Sequence, residues 1–398
     1  MREYTAWAVE RAMKVQEVIL RAAGGQISWL AAAEILGISA RSMSRWKWRL
    51  DHYGYEGLFD RRGHKPSPKR VPMETVERVL RLYRDKYADF SVRHFQEKLR
   101  EVEGIGLSYT WVKTALQTAG LTRKRRKRGP HRQRRPRKPL PGMLLHLDGS
   151  PHRWLGDGRY YDLIVVLDDA TNEVYWAELV EAESTRTMMR ALREVIRARG
   201  LFCSLYTDRA SHFTHTRRAG EAPERGHTQI GRALEQLGIE LILARSPQAR
   251  GRSERNFRTW QGRLPQELRL RGIQTLAAAN AFLQQEYVQE FNQRFALAPA
   301  ESESAFVPFT GDLDRYLCVQ EERVVANDNT VRFGSLILQI EPQKFRFSLA
   351  KCRALVCQHL DDTLTVWYGP HLLGRYTARG ELLQAPERRS IKRSEEAA

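Results

Sequence analysis

Three acidic residues in this chain, Asp148, Asp208 and Glu254, are of the type and order that two-metal phosphoryl transfer uses. Clustered carboxylates repel one another and favour a bound cation, and hard oxygen donors select magnesium or manganese. Two such ions about 3.5–4 Å apart can activate an attacking oxygen and stabilise a leaving one. A lone acid is usually a cap, a turn or a surface residue, so the reading depends on which elements carry the three. Asp168 and Asp169 sit in Asp-Asp-Ala-Thr-Asn and are expected to serve a hairpin turn. His146, two positions before Asp148, and His212, four after Asp208, are expected to pack or to touch DNA rather than to bind metal.

From Gly142 the pattern alternates strands with helices in the order β-β-β-α-β-α-β-α, which gives a mixed sheet. The spacing predicts strands over residues 143–148, 160–167, 173–179, 203–207 and 239–244, and a helix over 184–199. Asp148 then ends the first strand, Asp208 directly follows the fourth, and Glu254 opens the helix after the fifth. On that last helix Phe257, Trp260, Leu264 and Leu268 share an apolar stripe, with Glu254, Arg258 and Gln261 on the adjacent edge. Pro265 is expected to kink or restart it.

The 398 residues hold 66 Lys+Arg against 47 Asp+Glu, a formal charge of +19, which attracts polyanions and points to nucleic acid. More than half of that excess lies in residues 123–139, which contain 11 basic residues and no acid. Arg123, Lys124, Arg125, Arg126, Lys127 and Arg128 head this strip, which reads as a linker that tracks a phosphate backbone. The four cysteines show no zinc spacing and suit a reducing cytosol. No apolar run nears the ~18–20 residues of a bilayer span, and the start lacks a signal peptide, so a soluble, intracellular, nucleoid-associated bacterial protein is expected.

Before the strip, residues 4–23 carry helical periodicity that Gly24-Gly25 should end. Ser28 and Ser39 are placed to cap helices over 29–36 and 40–50, with Gly37 as the turn between them. This is a helix-turn-helix arrangement whose second helix exposes Arg41, Ser42, Arg45 and Arg49. A second trihelical unit is expected over 74–121, with helices at 75–86, 92–100 and 109–119, as a further DNA contact or a spacer. After Pro308, six short strands over 324–326, 330–333, 336–340, 354–359, 363–368 and 371–376 predict a small antiparallel barrel.

Leu147-Asp148-Gly149-Ser150, Tyr206-Thr-Asp208-Arg-Ala-Ser-His-Phe213 and Ser246-Pro-Gln-Ala-Arg-Gly-Arg-Ser-Glu254-Arg resemble the three blocks of DDE-type insertion-sequence transposases and retroviral integrases, with the ISNCY type nearest. The resemblance spans roughly residues 31–300. Arg209, Ala210 and His212 depart from the Asn-Gly and later acid of many relatives, and residues 217–227 read as an inserted polar loop. The resemblance implies a ribonuclease H-like core, two magnesium or manganese ions, and double-stranded DNA as partner, both terminal inverted repeats and target. It also implies a homo-oligomeric synaptic complex. Asp148 and Asp208 would bridge the metals, Glu254 would hold one, and Arg250, Arg252, Arg255 and Arg258 would grip phosphates. A plain metal nuclease, or a DNA-binding protein whose core no longer reacts, would share these features.

The expected architecture is therefore multidomain. All-α helix-turn-helix units (1–65 and 66–121) and a basic linker (122–141) precede an α/β ribonuclease H-like mixed-sheet core (142–300). A small β-barrel (301–386) and a disordered tail (387–398) follow. Neutralising the six basic residues from Arg123 to Arg128 should weaken binding to every DNA sequence, and each lost phosphate contact should reduce the slope of log affinity against log salt by about 0.9. Titration at several salt concentrations checks this; an unchanged slope would make the strip a solvated tether.

Overall fold

The computed structural model describes residues 4–59, 70–123, 135–214, 228–244, 251–343, 345–346 and 348–383. Lys124 to Arg128, Arg250, the inserted loop and the carboxy-terminal tail lie outside them. Two compact units emerge, Met1–Arg81 and Leu82–Ala398.

In the first unit, Thr5 caps α1 (Ala6–Ala23), Ser28 caps α2 (Trp29–Ile35) and Ser39 caps α3 (Ala40–Tyr53), each hydroxyl accepting an early amide hydrogen bond. Gly37, with φ of 64°, makes the left-handed turn that joins α2 to α3. Ala12, Val15, Val18 and Ile19 of α1 bury against Ala32, Ala33 and Met43. Small alanines let the helices approach closely, and the helix-turn-helix follows from that contact.

The boundary between the units falls within α4 (Met73–Asp85). Ser91 and Ser108 cap α5 (Val92–Glu101) and α6 (Tyr109–Thr118) as the sequence predicts. These two helices fall in the second unit, with the sheet.

The sheet order is β3-β2-β1-β4-β5. β1 (Leu145–His152), β2 (Tyr161–Asp168) and β3 (Val174–Val180) run antiparallel, and β4 (Ser204–Thr207) and β5 (Glu240–Leu243) continue from β1 in parallel. β1 runs four residues beyond its predicted end, because it stays paired with β2 through His152↔Tyr161.

Alternation divides β2 between two cores. Ile164 and Val166 pack with Met188, Leu192 and Ile196 of α7 (Thr185–Arg199) and with Ile230 and Leu234 of α8 (Gln229–Gln236). Leu163, Val165 and Leu167 pack on the other face against Phe257 and Trp260 of α9 (Gly251–Gln261) and Leu264 and Leu268 of α10 (Leu264–Leu270). Pro265 sits in the first turn of α10 and restarts the helix as expected. Beyond it come α11 (Leu276–Phe282), a π turn at Leu283–Tyr287 and α12 (Val288–Phe295).

Strand β3 is a sheet edge whose free amides and carbonyls would otherwise offer a pairing template. Side-chain amides occupy them. Asn280 bonds both the N–H and the C=O of Leu179, and Asn292 does the same for Val174, at 2.7–2.8 Å.

The helices α5 and α10 meet through buried charge. Glu267 accepts from His94 Nε2 at 2.7 Å, from Lys98 Nζ at 2.7 and 2.9 Å, and from Arg271 at 2.5 Å. Glu97 receives Arg263 bidentately and Arg294. Burial pushes the Glu267 carboxyl up, but the hydrogen bonds from His94 and Lys98 outweigh it and bring it down to about 2. Burial also holds the His94 imidazole below its ordinary value, so it stays neutral.

The carboxy-terminal strands correct the expected barrel: among the described residues no sheet closes. β9 (Arg353–Gln358), β10 (Leu364–Tyr368) and β11 (His371–Tyr376) join β6 (Val319–Val324) in the order β11-β10-β9-β6, so β6 and β11 remain edges. The hairpin of β7 (Thr330–Phe333) and β8 (Leu336–Gln339) instead packs Val331 and Leu338 against Val356, Val366 and Leu373. With the apolar face covered by that hairpin, nothing drives closure.

Acid should loosen this unit in a defined window. Glu267 has a folded value below its unfolded one, so its contribution is complete above about pH 4.5 and is lost as pH falls toward about 2. The depressed His94 adds loss from about pH 6.5 downward, since the unfolded chain takes up the proton first. Glu267→Gln leaves Lys98 buried without its partner and should cost about 3–5 kcal/mol at neutral pH. Its acid limb should be flatter than that of wild type, as followed by tryptophan fluorescence; parallel limbs would mean the cluster does not set acid stability.

Candidate active site and nucleic-acid interface

Side chains on β1 alternate, so His146, Asp148 and Ser150 share the face that α9 covers, while Leu145 and Leu147 enter the opposite core. β4 pairs in parallel with Leu145↔Leu205 and His146↔Tyr206. Asp148 and Asp208 each lie two residues past the last of these pairs. The His146 and Tyr206 rings meet edge to face at 5.2 Å, which fits this alignment. Asp208 leaves the strand immediately and turns, its carboxylate accepting from the Ala210 amide at 2.9 Å.

Helix α9 runs along this face in the direction of β1. Its start is held where β1 begins, by Arg252 on the Asp169 carbonyl, whose own residue donates its N–H to Leu144. Its end is held at Ser150, whose hydroxyl accepts from Gln261 at 3.0 Å. Trp260, fully buried, stacks on Phe291 at 4.3 Å and donates to Asn256. Glu254 lies in the first turn, exposed, seven residues before Gln261 and therefore on the same side of the helix. The carboxylate chemistry suits a hard divalent cation. Among the described residues, however, no three His, Cys, Asp or Glu side chains gather closely enough to hold an ion.

Asp168 keeps the expected turn role, accepting from the Thr171 amide and hydroxyl and from the Gly142 amide. Asp169 does more. It is wholly buried, and its carboxylate receives His146 Nε2 at 2.8 Å, Arg135 at 2.5 Å, the Lys138 amide at 2.9 Å and the Arg252 guanidinium. Arg137 donates to its carbonyl at 2.9 Å. Burial alone would raise this carboxyl; the His146 hydrogen bond, the Lys138 amide and Arg252 hold it well below the usual carboxylate range. Beside it a cavity of about 780 Å³ is lined by Arg135, Arg137, Tyr206, Arg252 and Arg255 among others.

Of the predicted phosphate contacts, Arg255 and Arg258 are exposed on α9, whereas Arg252 is engaged by Asp169. In the first unit Arg41 and Arg45 point outward from α3. Ser42 is occupied at the cap with Ser39, and Arg49 lies over the Trp46 ring at 5.5 Å. Arg123 is exposed.

Sequence reasoning missed Glu183. A Cβ on Gly149 would stand 2.2 Å from its carboxylate, so this acid flanks β1 on the face opposite Asp148, with His212 3.7 Å from it. Residues 183 and 149 carry no shared local signal.

The two bodies, a helix-turn-helix unit and a mixed sheet with Asp148 within β1 and Asp208 just after β4, are those of a modular protein. A helix-turn-helix domain model matches residues 16–67. The chain is 32% identical to the y4bF protein of Sinorhizobium fredii, named as a transposase, over 92% of this chain and 80% of that one. It is 28% identical to the transposase for insertion sequence IS1202 of Streptococcus pneumoniae, over 94% of this chain and 90% of the relative. The chain belongs to this transposase family. The HTLV-2 integrase catalytic core domain in complex with magnesium aligns with 37% of this chain and 90% of its own at 17% identity, with a TM-score of 0.27, too low to add to the strand order itself. No helix among the described residues is long and apolar enough to cross a membrane.

Proposed function

We propose that this chain is a DDE-type transposase that binds terminal inverted repeats, hydrolyses a phosphodiester at each element end and joins the freed 3′-hydroxyl to target DNA. The observation that supports this reading is the parallel pairing of β1 with β4 at Leu145↔Leu205 and His146↔Tyr206, which leaves Asp148 and Asp208 each two residues past the last pair, with α9 running along the same sheet. The strand order and the family support a ribonuclease H-like core.

Asp148, Asp208 and Glu254 would hold the metals. A pair of magnesium or manganese ions bound there would supply the charge that activates the attacking oxygen and stabilises the leaving one. Arg255 and Arg258, exposed beside Glu254, would hold backbone phosphates in line, and Arg250, outside the described residues, is a further candidate for that grip. The basic strip headed by Arg123 would track the backbone, and a homo-oligomer would bring two ends together.

Sequence reading belongs to α3 in this scheme. Arg41 and Arg45 are one helical turn apart and both exposed, so both can face a major groove, where arginine pairs bidentately with guanine. A catalytic core that joins its ends to varied targets cannot itself demand one base sequence.

Asp148→Asn, Asp208→Asn and Glu254→Gln should each reduce cleavage and joining to background while repeat-end binding persists. Assays on purified full-length variants decide it; substantial cleavage by one variant removes that residue from the set, and nicks without joined products favour a plain nuclease. Arg45→Ala should lose about 1–3 kcal/mol of discrimination between repeat and scrambled duplexes at fixed salt, more than it loses in general affinity. Equal losses on both duplexes would assign Arg45 to the backbone.

A further inference from the structure

Asp169 belongs to the turn after β2, yet it is bonded to three separate segments. His146 of β1 stands two residues before Asp148, and Arg252 of α9 stands two residues before Glu254. The third segment is the end of the basic strip, through Arg135 and the Lys138 amide. The Arg137 and Arg252 guanidiniums also donate to the Asp169 carbonyl, at 2.9 and 3.0 Å. A wholly buried carboxylate is expensive to desolvate, and a turn alone would not require one. Asp168, next to it, already makes the turn.

The start of α9 explains the arrangement. Helix amino termini carry partial positive charge and favour acids, and this one sets Arg252 and Arg255 on either side of its first-turn acid, Glu254, after Arg250 in sequence. Unpaired, those cations would work against the first turn, which is the turn that carries Glu254. Asp169 supplies the opposing charge from the sheet side.

We propose that Asp169 is a positioning residue for the reaction: through Arg252 it holds the first turn of α9, and with it Glu254, in register with Asp148 on β1. This rests on the reading of Asp148, Asp208 and Glu254 as the reacting acids. Because the same carboxylate takes Arg135 and the Lys138 amide, the end of the DNA-tracking strip and the start of the catalytic helix share one ion network.

The test uses the full-length chain with Asp169→Asn and Arg252→Gln, singly and together. Three quantities are measured: manganese affinity by calorimetric titration without DNA, repeat-end DNA affinity, and kcat for cleavage. Each single variant should lose about 10–100-fold in manganese affinity and in kcat, as expected when a group supporting a metal ligand is removed, with KM little changed. The double variant should be no worse than Asp169→Asn alone, because the ion pair is already broken. Amide exchange at residues 251–256 should quicken in all three.

Arg252→Gln changes a partly exposed helix side chain, so it carries the test if Asp169→Asn does not fold. Wild-type manganese affinity and kcat in Arg252→Gln would overturn the proposal, as would fully additive losses in the double variant. Asp148→Asn is run alongside: if it still cleaves, the reading of the three acids has failed, whereas a dead Asp148→Asn beside a fully active Arg252→Gln sinks only the positioning role.

Discussion

Side chains alternate across a strand with a period of two, so one choice of register between β1 and β4 decides whether residues 148 and 208 meet or face opposite layers. With His146 opposite Tyr206, each acid stands two residues past the last pair. The register is fixed by the opposite face, where Leu145, Leu147 and Leu205 bury in one core with α7 and α8. A slip of β4 by one residue would turn Leu205 toward α9 and away from that core. The chemistry of one face is therefore enforced by hydrophobic burial on the other.

Two buried carboxylates organise what surrounds that sheet. Glu267 joins α10 to α5 through His94 and Lys98, and Asp169 joins the turn after β2 to α9 and to the strip end. Each is surrounded by more than one cation, which is the condition under which a buried acid stays charged. Such contacts tolerate little displacement, since losing one partner leaves a charge with no water to replace it. Apolar packing of Phe257, Trp260, Leu264 and Leu268 seats α9 and α10, and the ion networks fix where along the sheet they sit.

The helix-turn-helix unit works on different physics. Its geometry comes from local caps at Ser28 and Ser39, the left-handed Gly37 and the alanine contact, so its outward arginines sit on a short rigid helix. The carboxy-terminal sheet keeps two edges because the β7–β8 hairpin, rather than a further strand pairing, covers its apolar face.

What the sequence determined by itself was local. Caps, glycine turns, the β-β-β-α-β-α-β-α order, the apolar stripe of α9 and the restart at Pro265 all depend on neighbours within a few residues, and the structure agrees with them. The elements that carry Asp148, Asp208 and Glu254 were legible for the same reason. β6 was misplaced, since Gln320-Glu-Glu-Arg323 hides its alternation, and six strands in a row suggested a barrel that only pairing could decide. Asp169 read as a turn residue because its other partners, His146, Arg135 and Arg252, lie 23 to 83 positions away. For the same reason the ion pair of Arg252 with Asp169 left no mark in the sequence. A buried charge chooses its partners only when the chain has brought them together, and no local pattern records that choice.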